Sequence, residues 1–153
     1  MEDLIDRDPA SWGPRSLEEE EALSVVLLAL RERQMGDLDG FAATLDEHVV
    51  YHDVPLPSAK GPGEARARAE EWRRAVPDLE IVVERSIVQG TAVVTMGRIR
   101  GTLRGALFGR PGTGKSFDLP FAQLALVRRG RIAYVRDHWD FATLMRQVGW
   151  AGE

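Results

Sequence analysis

Four side chains of this chain could move a proton or hold a polar ligand in an apolar setting: Asp137, Gln123, His52 and Tyr51. Asp137 lies in Gly130-Arg-Ile-Ala-Tyr-Val-Arg-Asp-His-Trp-Asp-Phe141. This reads as a strand that leaves a basic turn at Arg128–Arg131 and runs into a short helix from about Phe141. Side chains alternate along a strand, so Ala133, Val135, Asp137 and Trp139 share one face, and Ile132, Tyr134, Arg136 and His138 the other. The first face is small or apolar apart from Asp137. A carboxyl group in that company loses hydration and its pKa rises, which suits it to general acid/base work. A salt-bridged Asp137, or one that caps the following helix, fits the same pattern.

Gln123 stands in a similar position on the strand Phe117–Arg128, sharing a face with Phe117, Leu119, Phe121, Ala125 and Val127. A buried amide must hydrogen-bond something, and neighbouring antiparallel strands bring such groups together. Gln123 is therefore an orienter of Asp137, a contact for a ligand carbonyl, or a satisfied core glutamine. His52, at the end of the strand His48–Val54, is a candidate proton relay near neutral pH. Tyr51 alternates with it, so only one of the two faces a pocket.

Other patterns carry less. His48 and His52 are four apart, but on a strand this is not the helical zinc pair, and His138 falls opposite Asp137; no metal is expected. Gly109-Arg-Pro-Gly-Thr-Gly-Lys-Ser116 matches a phosphate-binding P-loop. That loop must open a helix, whereas Phe117 to Val127 is strand-like and Pro120 would break a helix. It is read as a glycine-rich hairpin loop. Arg98, Arg100 and Arg104 share a face at even spacing and suit a solvated surface or a subunit interface.

The elements that must position these groups follow in order. Residues 1–15 form an arm broken by Pro9, Gly13 and Pro14, with Trp12 available to pin it. Ser16 and Glu19 make a capping box for an apolar helix ending near Gly36. Asp39 caps a short helix from Gly40 to about Asp46, and a helix from about Pro62 to Ala75 carries an inward Trp72. Strands follow at Leu79–Val88, Ala92 to about Leu107 and Phe117–Arg128, then the Asp137 strand. Consecutive strands on short turns form an antiparallel meander, and helices segregated in sequence cover one face. The fold class is thus α+β in one domain, residues 16–150, with a curved sheet wrapped around helices.

Composition narrows the function. The chain has 153 residues, 44% hydrophobic and 29% charged, with a net charge of −4 and no cysteine. That balance argues against a nucleic-acid binder and leaves no disulfide or thiol chemistry. The acidic start, Met1-Glu-Asp-Leu-Ile-Asp, is unlike a signal peptide, and the run Val25–Leu30 is too short to span a bilayer. A cytoplasmic domain with no membrane partner is expected.

In sequence the chain resembles the SnoaL-like polyketide cyclases of the nuclear transport factor 2-like superfamily, from about Ser16 to Gly149. The resemblance rests on Gly36-Asp-Leu-Asp39, Val50-Tyr-His-Asp53, Gly61–Gly63, Pro77-Asp78, Gly101-Thr-Leu-Arg-Gly105, the Gly109–Lys115 loop, Gly130-Arg-Ile132, Asp137-His-Trp-Asp-Phe141 and Arg146-Gln-Val-Gly149. It implies a cone-shaped α+β barrel and a cofactor-free aldol cyclase of secondary metabolism, including antibiotic biosynthesis. It also implies a homodimer and an apolar small-molecule substrate. The family's general acid/base aspartate falls on Asp137. A pocket histidine of the family falls on Gln123, which can hydrogen-bond an enolate oxygen but cannot carry a proton, and a second histidine falls on Leu103. Gln123 with His52 or Tyr51 would then steady the oxyanion, while Tyr51, Trp72, Met96, Phe121, Val135 and Trp139 would contact substrate. Shape-driven [4+2]-type cyclisation, epoxide hydrolysis, isomerisation and ligand binding without catalysis are the alternatives on this fold.

Overall fold

A computed structural model describes residues 14–150; the proposed arm and Trp12 lie outside the described residues. Helix α1 (Leu17–Met35) opens with the expected capping box of Ser16 and Glu19 and closes on Gly36 in the left-handed conformation. Its buried residues Ala22, Val26, Ala29 and Leu30 form the stripe that meets the sheet. The short helix α2 is Leu38–Ala43, capped by Asp37 rather than Asp39. Asp39 sits in its first turn and pairs with Arg66. Then come β1 (Leu45–Asp53), β2 (Ala59–Lys60), α3 (Gly61–Ala75), β3 (Glu80–Gln89), β4 (Ala92–Thr102), β5 (Ser116–Arg128), β6 (Arg131–Trp139) and α4 (Phe141–Val148).

The sheet order is β2-β1-β6-β5-β4-β3. The meander β3 to β6 is antiparallel as the short turns dictate. Strand β1 instead joins β6 in parallel, because the chain must cross over the helices to bring the first strand beside the last. The result is a curved, unclosed mixed sheet whose concave face packs on α1 and α3. Ser116 opens β5 and not a helix, so the P-loop pattern has no phosphate-facing helix end. Strand β4 stops at Thr102, short of Leu107. Beyond it the backbone turns to other partners: Arg104 and Gly105 donate to the Ala75 carbonyl, and Leu103 bonds Lys115. Arg98 and Arg100 lie on the strand and share Asp118, at 2.6 and 3.1 Å; Arg104 is in the loop.

One irregularity matters for the site. On the β5–β6 ladder Val127 pairs with Ile132 but Leu126 pairs with Tyr134, so Ala133 is an extra, bulged residue. Simple alternation puts Ile132 opposite Asp137. The bulge shifts the phase, and Ile132, Val135 and Asp137 are all buried on the concave side.

Candidate functional site

Strand pairing lines up a polar row across the concave face. Ser86 pairs with Thr95, Thr95 with Gln123, Gln123 with Asp137, and Asp137 with Asp53. Apolar rows flank it: Val93, Ala125 and Val135 on one side, Phe121 and Trp139 on the other. The parity of each strand thus delivers one polar residue per strand to the same line. Asp53 and Asp137 stand beside each other on parallel strands, which run about 4.8 Å apart.

Asp137 is only 6% exposed. Gln123 Nε2 donates to its Oδ1 at 2.8 Å, and the Tyr51 hydroxyl also hydrogen-bonds it. Loss of hydration raises its pKa most, and the negative charge of Asp53 adds to this. Arg33 and the two hydrogen bonds oppose the rise, leaving the pKa at about 7. Burial also pushes the Tyr51 phenol well above its ordinary range, against the pull of Arg33. The Tyr51 hydroxyl oxygen accepts from Arg33 Nη1 at 2.8 Å and weakly from Gln123 at 3.5 Å. For Arg33, burial works against the charge, but Tyr51, Asp137 and Asp53 outweigh it and its pKa is raised. Asp53 is held by Arg68 Nη1 and by the Trp139 indole N–H, each at 3.4 Å.

A cavity of about 30 Å³ touches this cluster. Its polar wall is Arg33, Gln123 and Asp137. Leu30, Trp72, Ile81, Phe121 and Trp139 supply most of the apolar wall. On this measure one water needs about 10–15 Å³, so the hollow as it stands admits water and no polycyclic molecule. Trp72 meets Trp139 edge-on at 5.7 Å, and Phe108 stacks on Trp139 at 6.3 Å. Aromatic packing therefore closes one end.

The structure brings Asp137, Gln123, Tyr51, Trp72, Phe121 and Trp139 together. Three expected residues are elsewhere. His52 alternates out to the convex face while Tyr51 and Asp53 turn inward. Met96 is 41% exposed on the convex face, because Thr95 takes the inward position beside it. Val135 is inward but packs into the core with Ala125 and Tyr51 and does not reach the cavity.

Arg33 is not among the residues that the sequence singles out by type. Its signal is nonetheless in the sequence: Ala22, Val26, Ala29 and Arg33 recur at spacings of four, three and four, so Arg33 continues the buried stripe of α1. Neighbouring residues fix it there. Gln34 Oε1 accepts from Ile81 N at 2.7 Å, and the Gln34 carbonyl accepts from Arg73 at 2.8 Å. Arg68 is not singled out either; it lies one turn from Trp72 and reaches Asp53.

Among solved structures, one similar to this chain is a proposed SnoaL-like polyketide cyclase from Jannaschia sp. CCS1, 25% identical, covering 92% of this chain and 99% of that one with a TM-score of 0.84. An LEH-like epoxide hydrolase of M. tuberculosis is 21% identical over 87% of this chain and 92% of its own, TM-score 0.72. A Catenulispora acidiphila DSM 44928 protein with a ketosteroid isomerase-like fold is 14% identical over 82% and 92%, TM-score 0.72. No match is found among curated proteins. The family model for SnoaL-like polyketide cyclases matches residues 24–148. A match over that length, on the fold just described, makes the chain a member of the SnoaL-like polyketide cyclase family.

Proposed function

We propose that the protein is a cofactor-independent cyclase acting on a polyketide-like or other apolar carbonyl compound, with Asp137 as general acid/base. The observation that carries this reading is a carboxyl group inside an apolar wall, held by Gln123 and Tyr51, with its pKa near 7. The Asp137 carboxylate takes a proton from the carbon next to a carbonyl. The resulting enolate carbon attacks a second carbonyl of the same molecule, one C–C bond forms, and the new alkoxide recovers the proton from Asp137. No oxidant or reductant is needed. Substrate entry requires the aromatic side chains around the small hollow to part, Trp72 and Trp139 first.

The test needs no knowledge of the natural substrate. Wild-type protein incubated in D₂O with 1-tetralone should introduce deuterium beside the carbonyl, followed by mass spectrometry. Absence of exchange above buffer removes Asp137 as a base for carbonyl substrates.

A second reading is favoured by Asp53, a buried carboxylate next to Asp137, and by a hollow of water size. Two carboxylates around a held water suit epoxide opening. Under that reading styrene oxide is hydrolysed and Asp53→Asn is as damaging as Asp137→Asn. Under the cyclase reading Asp53→Asn slows exchange by less than about tenfold, because Asp53 then only tunes its neighbour.

We also propose a homodimer through the convex sheet face. Ile87, Met96 and Leu126 are exposed there, and Ile87, Val94 and Leu124 line up across three strands. Sedimentation should give twice the 17.0 kDa chain mass, and Met96→Glu with Leu126→Glu should halve it. A wild-type protein sedimenting at the single-chain mass ends this proposal.

A further inference from the structure

We infer that Arg33 receives the substrate oxygen on which negative charge develops, a role that rests on Asp137 acting as the base. Apart from the Trp72 indole N–H, which is neutral, the other side-chain donors near the cavity are already engaged. Gln123 Nε2 serves Asp137 at 2.8 Å, with only a long 3.5 Å contact to Tyr51. The Tyr51 hydroxyl bonds Asp137, and its oxygen is occupied by Arg33. The Trp139 N–H points to Asp53. Arg33, by contrast, has five N–H donors in a planar fork, of which one nitrogen, Nη1, is used on Tyr51.

Among the described residues Arg33 makes no ion pair. Its guanidinium lies 5.7 Å from the ring centres of both Phe41 and Tyr51, which hold it on their faces. A cation lining an apolar hollow with unused donors is a seat for an anionic oxygen.

The charges agree. With Asp137 ionised, the carboxylates Asp137 and Asp53 face the guanidiniums Arg33 and Arg68. When Asp137 takes the proton, the cluster is left one positive charge in excess. That charge matches the enolate formed by the same step: the C–H electron pair moves into the C–C bond and the carbonyl pair onto oxygen. Arg33 thus becomes better matched to the substrate as the reaction proceeds, which is the condition for catalysis.

The experiment compares 4-nitrophenolate, an enolate-like oxyanion visible by absorbance, with its neutral isostere 4-nitrotoluene at pH 8. Wild type should bind the phenolate at least about tenfold more tightly. Arg33→Met should lose that preference while binding 4-nitrotoluene as before, and Asp137→Asn, whose cluster carries the positive excess permanently, should strengthen it. Arg33→Gln serves as a second variant should the methionine chain not fold. Retention of the preference in either Arg33 variant, or no phenolate preference in the wild type, overturns the inference. The two readings fail separately. Undiminished tetralone exchange in Asp137→Asn removes the base but leaves Arg33 as an anion seat. Loss of exchange with no phenolate preference removes Arg33 alone.

Discussion

Asp137→Asn is expected to lower deuterium exchange into 1-tetralone by about a hundredfold or more, since a positioned base contributes roughly 10²–10⁴-fold. The same change should raise, not lower, stability at pH 8. The folded-state pKa of Asp137 is about 7, above an unfolded value of about 3.9. The folded chain therefore binds this proton more tightly than the unfolded one, and the linked stability is complete below about pH 4. It drains away as pH rises toward 7 and is gone above. An asparagine carries no such proton, so the variant's melting curve should be flatter in pH. The gap between the two proteins should open across pH 4–7 and reach on the order of a few kcal/mol. Differential scanning calorimetry across that range, beside the exchange assay, checks both halves. Equal exchange in the two proteins would remove the base. A parallel pH dependence would show the carboxyl group to be hydrated after all.

Gly97→Ala should be the most damaging single-methyl change in the sheet. A β-carbon there would lie 1.9 Å from the Val82 carbonyl oxygen and 3.0 Å from the Phe121 ring. The obstacle is backbone, brought over Gly97 by the bulge at Glu84, where pairing shifts between Val83 and Arg85. Relief requires β3 to move away from β4, and overpacking of this kind costs on the order of 3 kcal/mol. For a chain of this size that corresponds to a melting point lower by roughly 10 °C. Gly63→Ala is the control. Nothing lies within 4 Å of its β-carbon position, and it sits in helix α3. Alanine there should be neutral or slightly stabilising. If both variants melt alike, the close approach at Gly97 is not the constraint it looks to be.

Most of the architecture was legible because its signals are local. The Ser16–Glu19 capping box, the α3 helix, the meander and the final helix all follow from caps, breakers and periodicity within a few residues. The inward placement of Asp137 and Gln123 followed from strand parity, which needs no knowledge of neighbours. What escaped was set by distant parts of the chain. The parallel pairing of β1 with β6 depends on a crossover, and without it nothing in Tyr51-His-Asp53 says which parity faces the core. That is why His52 and Tyr51 stood as alternatives for the pocket, when Tyr51 and Asp53 are the inward residues. Met96 failed for the complementary reason: an apolar residue reads as interior, yet Thr95 holds the concave position. Arg33 was hidden by its charge, although its spacing along α1 already placed it with the core.

The extra residue at Ala133 has a consequence for how this chain tolerates changes of length. Ile132 and Asp137 are an odd number of positions apart, yet both face the helices, and only the bulge reconciles them. Removing Ala133 would straighten the strand and keep the acid indoors, since regular alternation from Ile132 would then pass through Val135 and Asp137. Losing one residue beyond Tyr134 instead leaves the bulge intact and throws every later position out of frame, turning the acid to solvent. Length variation in this strand is therefore permitted at one point, and the chemistry of the pocket is what forbids it elsewhere.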